Sequence, residues 1–237
     1  MLAAEPSRAD ALAVKEAIAG QKRAAAPRRE REREAPRQQA PAPPAADVQS
    51  ILEAYLAGDI GAAIERAKDA QSPRGVRLFS DLRQFDSSYK EGLARQQAHR
   101  LPEAVRSLET AAAADKAITG GQEGRLGREV RKALSALHFQ LAEALPQADE
   151  TLPQQAQHLR AAVQNDPAND AAQAQLRQLA DRAKEIYLRG YVAKDEDLES
   201  ARKAFKLVIE TLPASDETAQ KAKRWLDKLD GKVAKDE

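Results

Sequence analysis

The fold is decided by the stretch that runs from Tyr187-Leu188-Arg189-Gly190-Tyr191 through Asp195-Glu196-Asp197 to Ala201-Arg202-Lys203-Ala204-Phe205-Lys206-Leu207-Val208-Ile209-Glu210-Thr211-Leu212-Pro213. It reads as a helix ending near Gly190, a short acidic turn, and a second helix stopped by proline, which has no N–H to continue the ladder. Leu198, Ala201, Phe205, Val208, Ile209 and Leu212 recur at three- and four-residue steps, so they share one face of that second helix. A small residue, an aromatic four later and a proline eight after that form the second half of a helical hairpin.

Composition extends this reading to the rest of the chain. The 237 residues are rich in Ala, Leu, Gln, Glu, Lys and Arg, all strong helix formers, while aromatics make up only 4%. β-branched residues are scarce and no segment alternates with period two, so an all-α class follows. Abundant alanine lets helices approach closely but gives each one little apolar area to bury. An elongated packing of helix pairs is therefore expected in place of one large core.

Net charge is +1, which gives no bulk electrostatic argument for nucleic acid or an anionic membrane. Residues 1–46 hold nine Lys/Arg against six Asp/Glu, a small basic excess. The absence of cysteine excludes disulfides, thiolate metal sites and cysteine nucleophiles. No apolar run reaches the roughly 18 residues of a membrane span. The N-terminus lacks the basic and apolar regions of a secretory signal, so a cytoplasmic location is expected, with the periplasm as the alternative if the native N-terminus is longer.

Four segments follow from the patterning. Residues 1–25 include a possible isolated helix over 8–25, with Ser7 as cap and Leu12 and Ile18 on a thin apolar face. Residues 26–46 hold an Arg/Glu run and Pro36, Pro41, Pro43 and Pro44, and read as a disordered or extended linker. Residues 47–230 are periodic and form the helical repeat domain; residues 231–237 are expected to be a disordered tail. Nine helices are expected after the linker: one from Asp47 to Gly58, one from Asp59, then about Pro73–Arg100, one opening at Pro102, and, after a glycine-rich break at Gly120–Gly127, about Arg128–Leu145, Pro153–Gln164, Asp170–Lys194, Leu198–Thr211 and Asp216–Asp230.

Several residues carry a family likeness. Gly190, Ala201, Phe205, Val208 and Pro213 form the best-defined unit. Gly92, Ala104, Leu108 and Ala111 form another; Gln155, Leu159, Ala162 and Pro167 a third; Gly58-Asp59 with Ala63, Ala67 and Ala70 a fourth. In this the chain resembles tetratricopeptide repeat proteins, over roughly residues 47–230. The resemblance implies an α-solenoid of stacked antiparallel hairpins that binds a protein partner, with the helix bearing Ala219, Ala222, Trp225, Leu226 and Leu229 sealing the last pair. The equivalent positions Ala63, Ala104, Gln155 and Ala201 are unevenly spaced, unlike the family's regular unit of about 34 residues. The last unit, through Trp225, is also similar to repeats of bacterial envelope-assembly proteins, which implies an envelope role as the alternative.

The search for chemistry in the sequence finds none. His99, His138 and His158 share no helix at ligand spacing, and no H-E-x-x-H or His/Cys cluster exists. The Gly120–Gly127 segment lacks the Gly-Lys-Ser/Thr ending of a phosphate loop and reads as a flexible loop between repeats. Asp195-Glu196-Asp197 and Glu199 do not fit a calcium loop and read as a turn that caps the next helix. The basic segment 22–37 has no interleaved aromatic for single-stranded nucleic acid. The chaperone-type clamp of the resembled family uses two asparagines on first helices, whereas Asn165 and Asn169 fall in a turn. The expectation is a scaffold or adaptor within a larger complex, with no catalytic residue, cofactor, metal, nucleic acid or direct membrane insertion. Tyr89, Arg95, Gln140, Arg189 and Tyr191 are the candidate partner-binding residues of a groove lined by first helices. Of the tyrosines, Tyr187 is expected in the core, and core packing is favoured over groove contact for the pair, with an exposed Tyr191 beside Arg189 as the alternative.

Overall fold

The computed structural model describes residues 46–233, with side chains from 47 to 231. The expected helix 8–25, the linker up to residue 45 and residues 234–237 lie outside the described residues. All the described residues belong to one compact unit, Pro43–Glu237.

Among them the chain forms nine α-helices and no strand. These are α1 (Ala46–Ala57), α2 (Ile60–Lys68), α3 (Pro73–Gln97), α4 (Leu101–Thr119), α5 (Arg125–Ala144), α6 (Leu152–Asn165), α7 (Asp170–Ala193), α8 (Leu198–Thr211) and α9 (Glu217–Val233). A single 3-10 turn, Asp149–Thr151, leads into α6.

Local chemistry sets the boundaries. Ser72 caps α3, its hydroxyl accepting the Gly75 N–H at 3.0 Å, and Pro73 occupies the first turn, where no N–H is needed. Asp59, Asn169 and Asp197 cap α2, α7 and α8 in the same way. Helix α4 stops at Gly120, which adopts a left-handed conformation (φ 66°) that side-chain-bearing residues avoid. Helix α3 ends three residues before Arg100, because His99 turns to φ 55° and breaks the helical path. Helix α9 continues through Val233, so residues 231–233 of the expected tail are helical.

Each helix packs on its neighbours in sequence, and the most extensive contacts join α3 to α4, α5 to α6 and α7 to α8. Helix α6 also reaches α8, and α7 reaches α9. Successive helices approach closely where small residues sit at the crossing of their axes. A Cβ on Gly92 would lie 2.7 Å from Leu108 of α4, and one on Gly190 would lie 2.8 Å from the Ala204 methyl of α8. Ala63, Ala104, Ala111, Ala162 and Ala201 are fully buried.

The glycine-rich break is shorter than its composition suggests. Helix α5 starts at Arg125, so Gly127 is inside it and buried, its Cα face pressed on the Asp115 carboxylate, where a Cβ would meet Oδ2 at 2.5 Å. Close approach, and not flexibility, is what that glycine supplies.

Apolar burial divides into two clusters. One spans α1 to α5 around Ile51, Tyr55, Leu82, Phe85, Leu108 and Leu137; the other runs from Ala142 to α9 around Leu152, Leu159, Phe205 and Leu229. Helix α5 supplies side chains to both. At the end of the chain Ala219, Ala222 and Leu229 of α9 are buried against α8, with Trp225 and Leu226 half-buried beside them. The fold is thus all-helical, stabilised by small-residue contacts between successive helices.

Candidate binding surface

Helix α7 buries one stripe and exposes another. Ala172, Leu179, Ala183, Ile186 and Gly190 recur at three-, four- and seven-residue steps and face the core. Off that stripe Leu188 is 60% exposed, Val192 76% and Tyr191 42%, and Leu198 in the first turn of α8 is 41% exposed. Among the described residues the only other large apolar side chain so exposed is Val76. Leu188 and Val192 are one helical turn apart, so they form an adjacent aliphatic pair.

Two concavities flank this ridge. One, of about 450 Å³, is lined by Leu188, Arg189, Val192, Ala193, Glu196 and Asp197. The other, of about 520 Å³, lies between α7 and α8 and includes Asp149, Glu150, Ile186, Arg189, Ser200 and Lys203 in its wall. Arg189 therefore stands between the two. It is held there by Asp149, whose Oδ2 lies 2.6 Å from Nη2 of Arg189, while Oδ1 accepts from Nε of Arg182 at 2.9 Å. Partial burial pushes the Asp149 carboxyl up, but the hydrogen bonds and charges of Arg189 and Arg182 overcome it and hold the group below the usual carboxylate range.

Tyr191 projects toward α9. Its ring meets Trp225 edge-on, with centres 5.4 Å apart, and Nζ of Lys194 stands 4.3 Å from the tyrosine ring centre and 5.6 Å from that of the tryptophan. Lys228 covers Trp225 at 4.5 Å. Such contacts fix ring orientation as well as adding attraction. Tyr187 turns inward, half-buried, with its ring 5.8 Å from Phe205.

The other three candidates lie elsewhere. Tyr89 on α3 is half-buried, stacked on Phe85 at 5.6 Å and packed against the first apolar cluster. Burial, with the nearby Glu129 charge, raises its phenol above the ordinary value. Arg95 bridges α3 to α4, donating to Ser107 Oγ at 2.8 Å and pairing with Glu91 at 2.5 Å. Gln140 is exposed on α5. Arg189 and Tyr191 share α7 and adjoin the exposed apolar ridge, whereas Tyr89, Arg95 and Gln140 lie on α3 and α5.

Leu188 and Val192 escaped the sequence reading. Their signal was there: once Ala183, Ile186 and Gly190 define the buried stripe, an aliphatic pair off that stripe has no intramolecular use. The pairing of His138 on α5 with His158 on α6, with Nδ1 atoms 3.2 Å apart, was also not foreseen. Twenty positions separate them, and only the hairpin brings them together. Among the described residues no group of three or more His, Cys, Asp or Glu is placed to hold a metal ion, and no helix is long and apolar enough to cross a membrane. Comparison with protein-family models, with curated proteins and with solved structures finds no match.

Proposed function

We propose that the chain is a non-catalytic scaffold, an α-solenoid of helix hairpins that binds a partner protein through the exposed ridge at the end of α7. The observation that carries this reading is the clustering of Leu188, Tyr191, Val192 and Leu198, four of the five most exposed large apolar residues among the described residues, within eleven positions. Scattered apolar side chains on a surface need no explanation, but an adjacent exposed pair such as Leu188 and Val192, with two more exposed apolar residues close by in sequence, is the kind of feature that marks a contact surface. Two concavities beside it give a partner's side chains somewhere to enter, and Arg189, oriented by Asp149, offers a fixed donor at their shared rim.

The hairpin reading rests on two supports. The strongest helix contacts fall between α3 and α4, α5 and α6, and α7 and α8, and a glycine sits at the close approach in the first and last of these, Gly92 on Leu108 and Gly190 on Ala204. A pair with so little apolar area cannot stand alone, and stacking supplies the missing burial.

The test is affinity capture from the native cell with wild type and with Leu188→Asp/Val192→Asp, followed by mass spectrometry. The expected result is a defined set of proteins recovered with wild type and lost with the variant, while circular dichroism of the two is the same. Equal recovery with both would remove the ridge from the account.

A further inference from the structure

His138 of α5 and His158 of α6 face each other with Nδ1 atoms 3.2 Å apart and ring centres 5.5 Å apart. The second distance exceeds the first by two ring radii. Both nitrogens therefore lie on the line between the ring centres, so an N–H on one ring points straight at the lone pair of the other. A cation held by both rings, with metal–nitrogen bonds of about 2.0–2.1 Å, would sit off that line and draw the ring centres closer for the same nitrogen gap. The geometry is that of a hydrogen bond between imidazoles.

Such a bond needs one proton between the two nitrogens. In the neutral pair one ring carries its proton on Nδ1 and donates it, and the other carries its proton on Nε2 and accepts. Adding one proton, to the free Nε2 of the donor ring, leaves the bond in place and makes it charge-assisted. A second added proton has only the accepting Nδ1 left. It would set two N–H groups and two positive charges against each other across the gap.

The surroundings do little to relieve that conflict. The rings border a cavity of about 520 Å³ whose lining includes Glu109 from α4 and Arg131 from α5, while α6 adds the uncharged Gln157, Gln164 and Asn165. Arg131 is paired with Glu123. Arg160, the one arginine or lysine of α6, bonds the Thr211 carbonyl instead. Helices α1, α7 and α8, which also pack on α5 or α6, contribute no residue to this lining. Glu109 is thus the single carboxylate at the cavity, set against Arg131.

We infer that the His138–His158 bond is a proton-operated clasp between α5 and α6, closed by one shared proton and opened when the second imidazole is protonated. Burial pushes both rings below the ordinary histidine value, and the charge of His158 pushes His138 further. Protonation then belongs to the pair, in two separated steps. In the unfolded chain both rings titrate near the ordinary value of about 6.5. Below it the unfolded state binds more protons than the folded one, so stability falls with acid, and α5 loosens from α6 at the cavity.

The experiment compares wild type with His138→Asn/His158→Asn, in which the amides occupy the Nδ1 positions and do not titrate. Urea unfolding is followed between pH 5 and 7, and ring nitrogens of the wild type are titrated by NMR. The unfolding constant of the wild type should rise with falling pH more steeply than that of the variant by about tenfold per pH unit. NMR should show the two rings titrating in distinct steps, both displaced downward. Equal pH slopes, or two rings that titrate together at the ordinary histidine value, would overturn the clasp. The NMR arm needs no variant, so a poorly folded double substitution leaves the test intact.

Discussion

The Tyr55 hydroxyl donates a 2.8 Å hydrogen bond to the Asp115 carboxylate, linking α1 to α4 across sixty positions, with both residues buried. Gly127 of α5 closes over the same carboxylate. Three helices thus meet at one polar contact inside an apolar cluster. Burial without that bond would leave a carboxylate stranded, a cost of about 1–3 kcal/mol or more for a charged group. Tyr55→Phe is therefore expected to destabilise by about that amount in urea unfolding. Asp115→Asn, which can still accept from the phenol, should cost less.

The same carboxylate and Asp149 should give stability profiles of opposite sign. Burial raises Asp115 above its ordinary value of 3.8, more than Tyr55 and Arg131 lower it. The folded state then holds its proton longer, so stability falls as pH rises from 3.8 to the raised value, and Asp115→Asn should abolish that loss. Asp149 is the reverse. Its stabilisation is present above 3.8 and is lost as pH falls through the depressed folded value, so Asp149→Asn should remove an acid loss. Urea midpoints measured across pH 2 to 7 for the two variants and the wild type check both signs.

Glycine substitutions separate crossing points from ordinary helix positions. Gly190→Ala puts a methyl 2.8 Å from Ala204 Cβ and 3.2 Å from the Phe205 ring, and should destabilise by about 1–3 kcal/mol despite alanine's better helix propensity. Gly61→Ala meets nothing nearer than 3.6 Å and should instead stabilise, by up to about 1 kcal/mol. Thermal melts of the two proteins moving in opposite directions are the expected result.

Asn169 does two jobs at the start of α7. Its Oδ1 accepts the Ala172 N–H at 3.0 Å and its Nδ2 donates to Ser135 Oγ on α5 at 3.0 Å. Asn169→Ala should cost about 1–2 kcal/mol, the upper part of the range for a lost cap, and Asn169→Asp should recover the capping share alone. Chemical unfolding of the three proteins tests the split.

The helices were legible because their signals are local. Pro73 and Pro102 announce starts, and Leu198 to Leu212 carries its own period of 3.6. Gly127 was misread as loop because its use is a neighbour, Asp115, that lies twelve positions away in another helix. The same reason hid Tyr55–Asp115 and His138–His158, since a pair that spans helices has no mark on either one. Arg189 and Tyr191 stood out as a charged and aromatic pair on α7. The Leu188 and Val192 ridge needed the buried face of α7 to be fixed first, and only packing fixes it.

The central claim, that a partner docks on the end of α7, is tested most directly by amide hydrogen exchange of the protein alone and in complex with the partner recovered by wild type. The account predicts slowed exchange over residues 185–200, with residues 47–119 unchanged. Protection confined to other helices, with 185–200 unaffected, would contradict it.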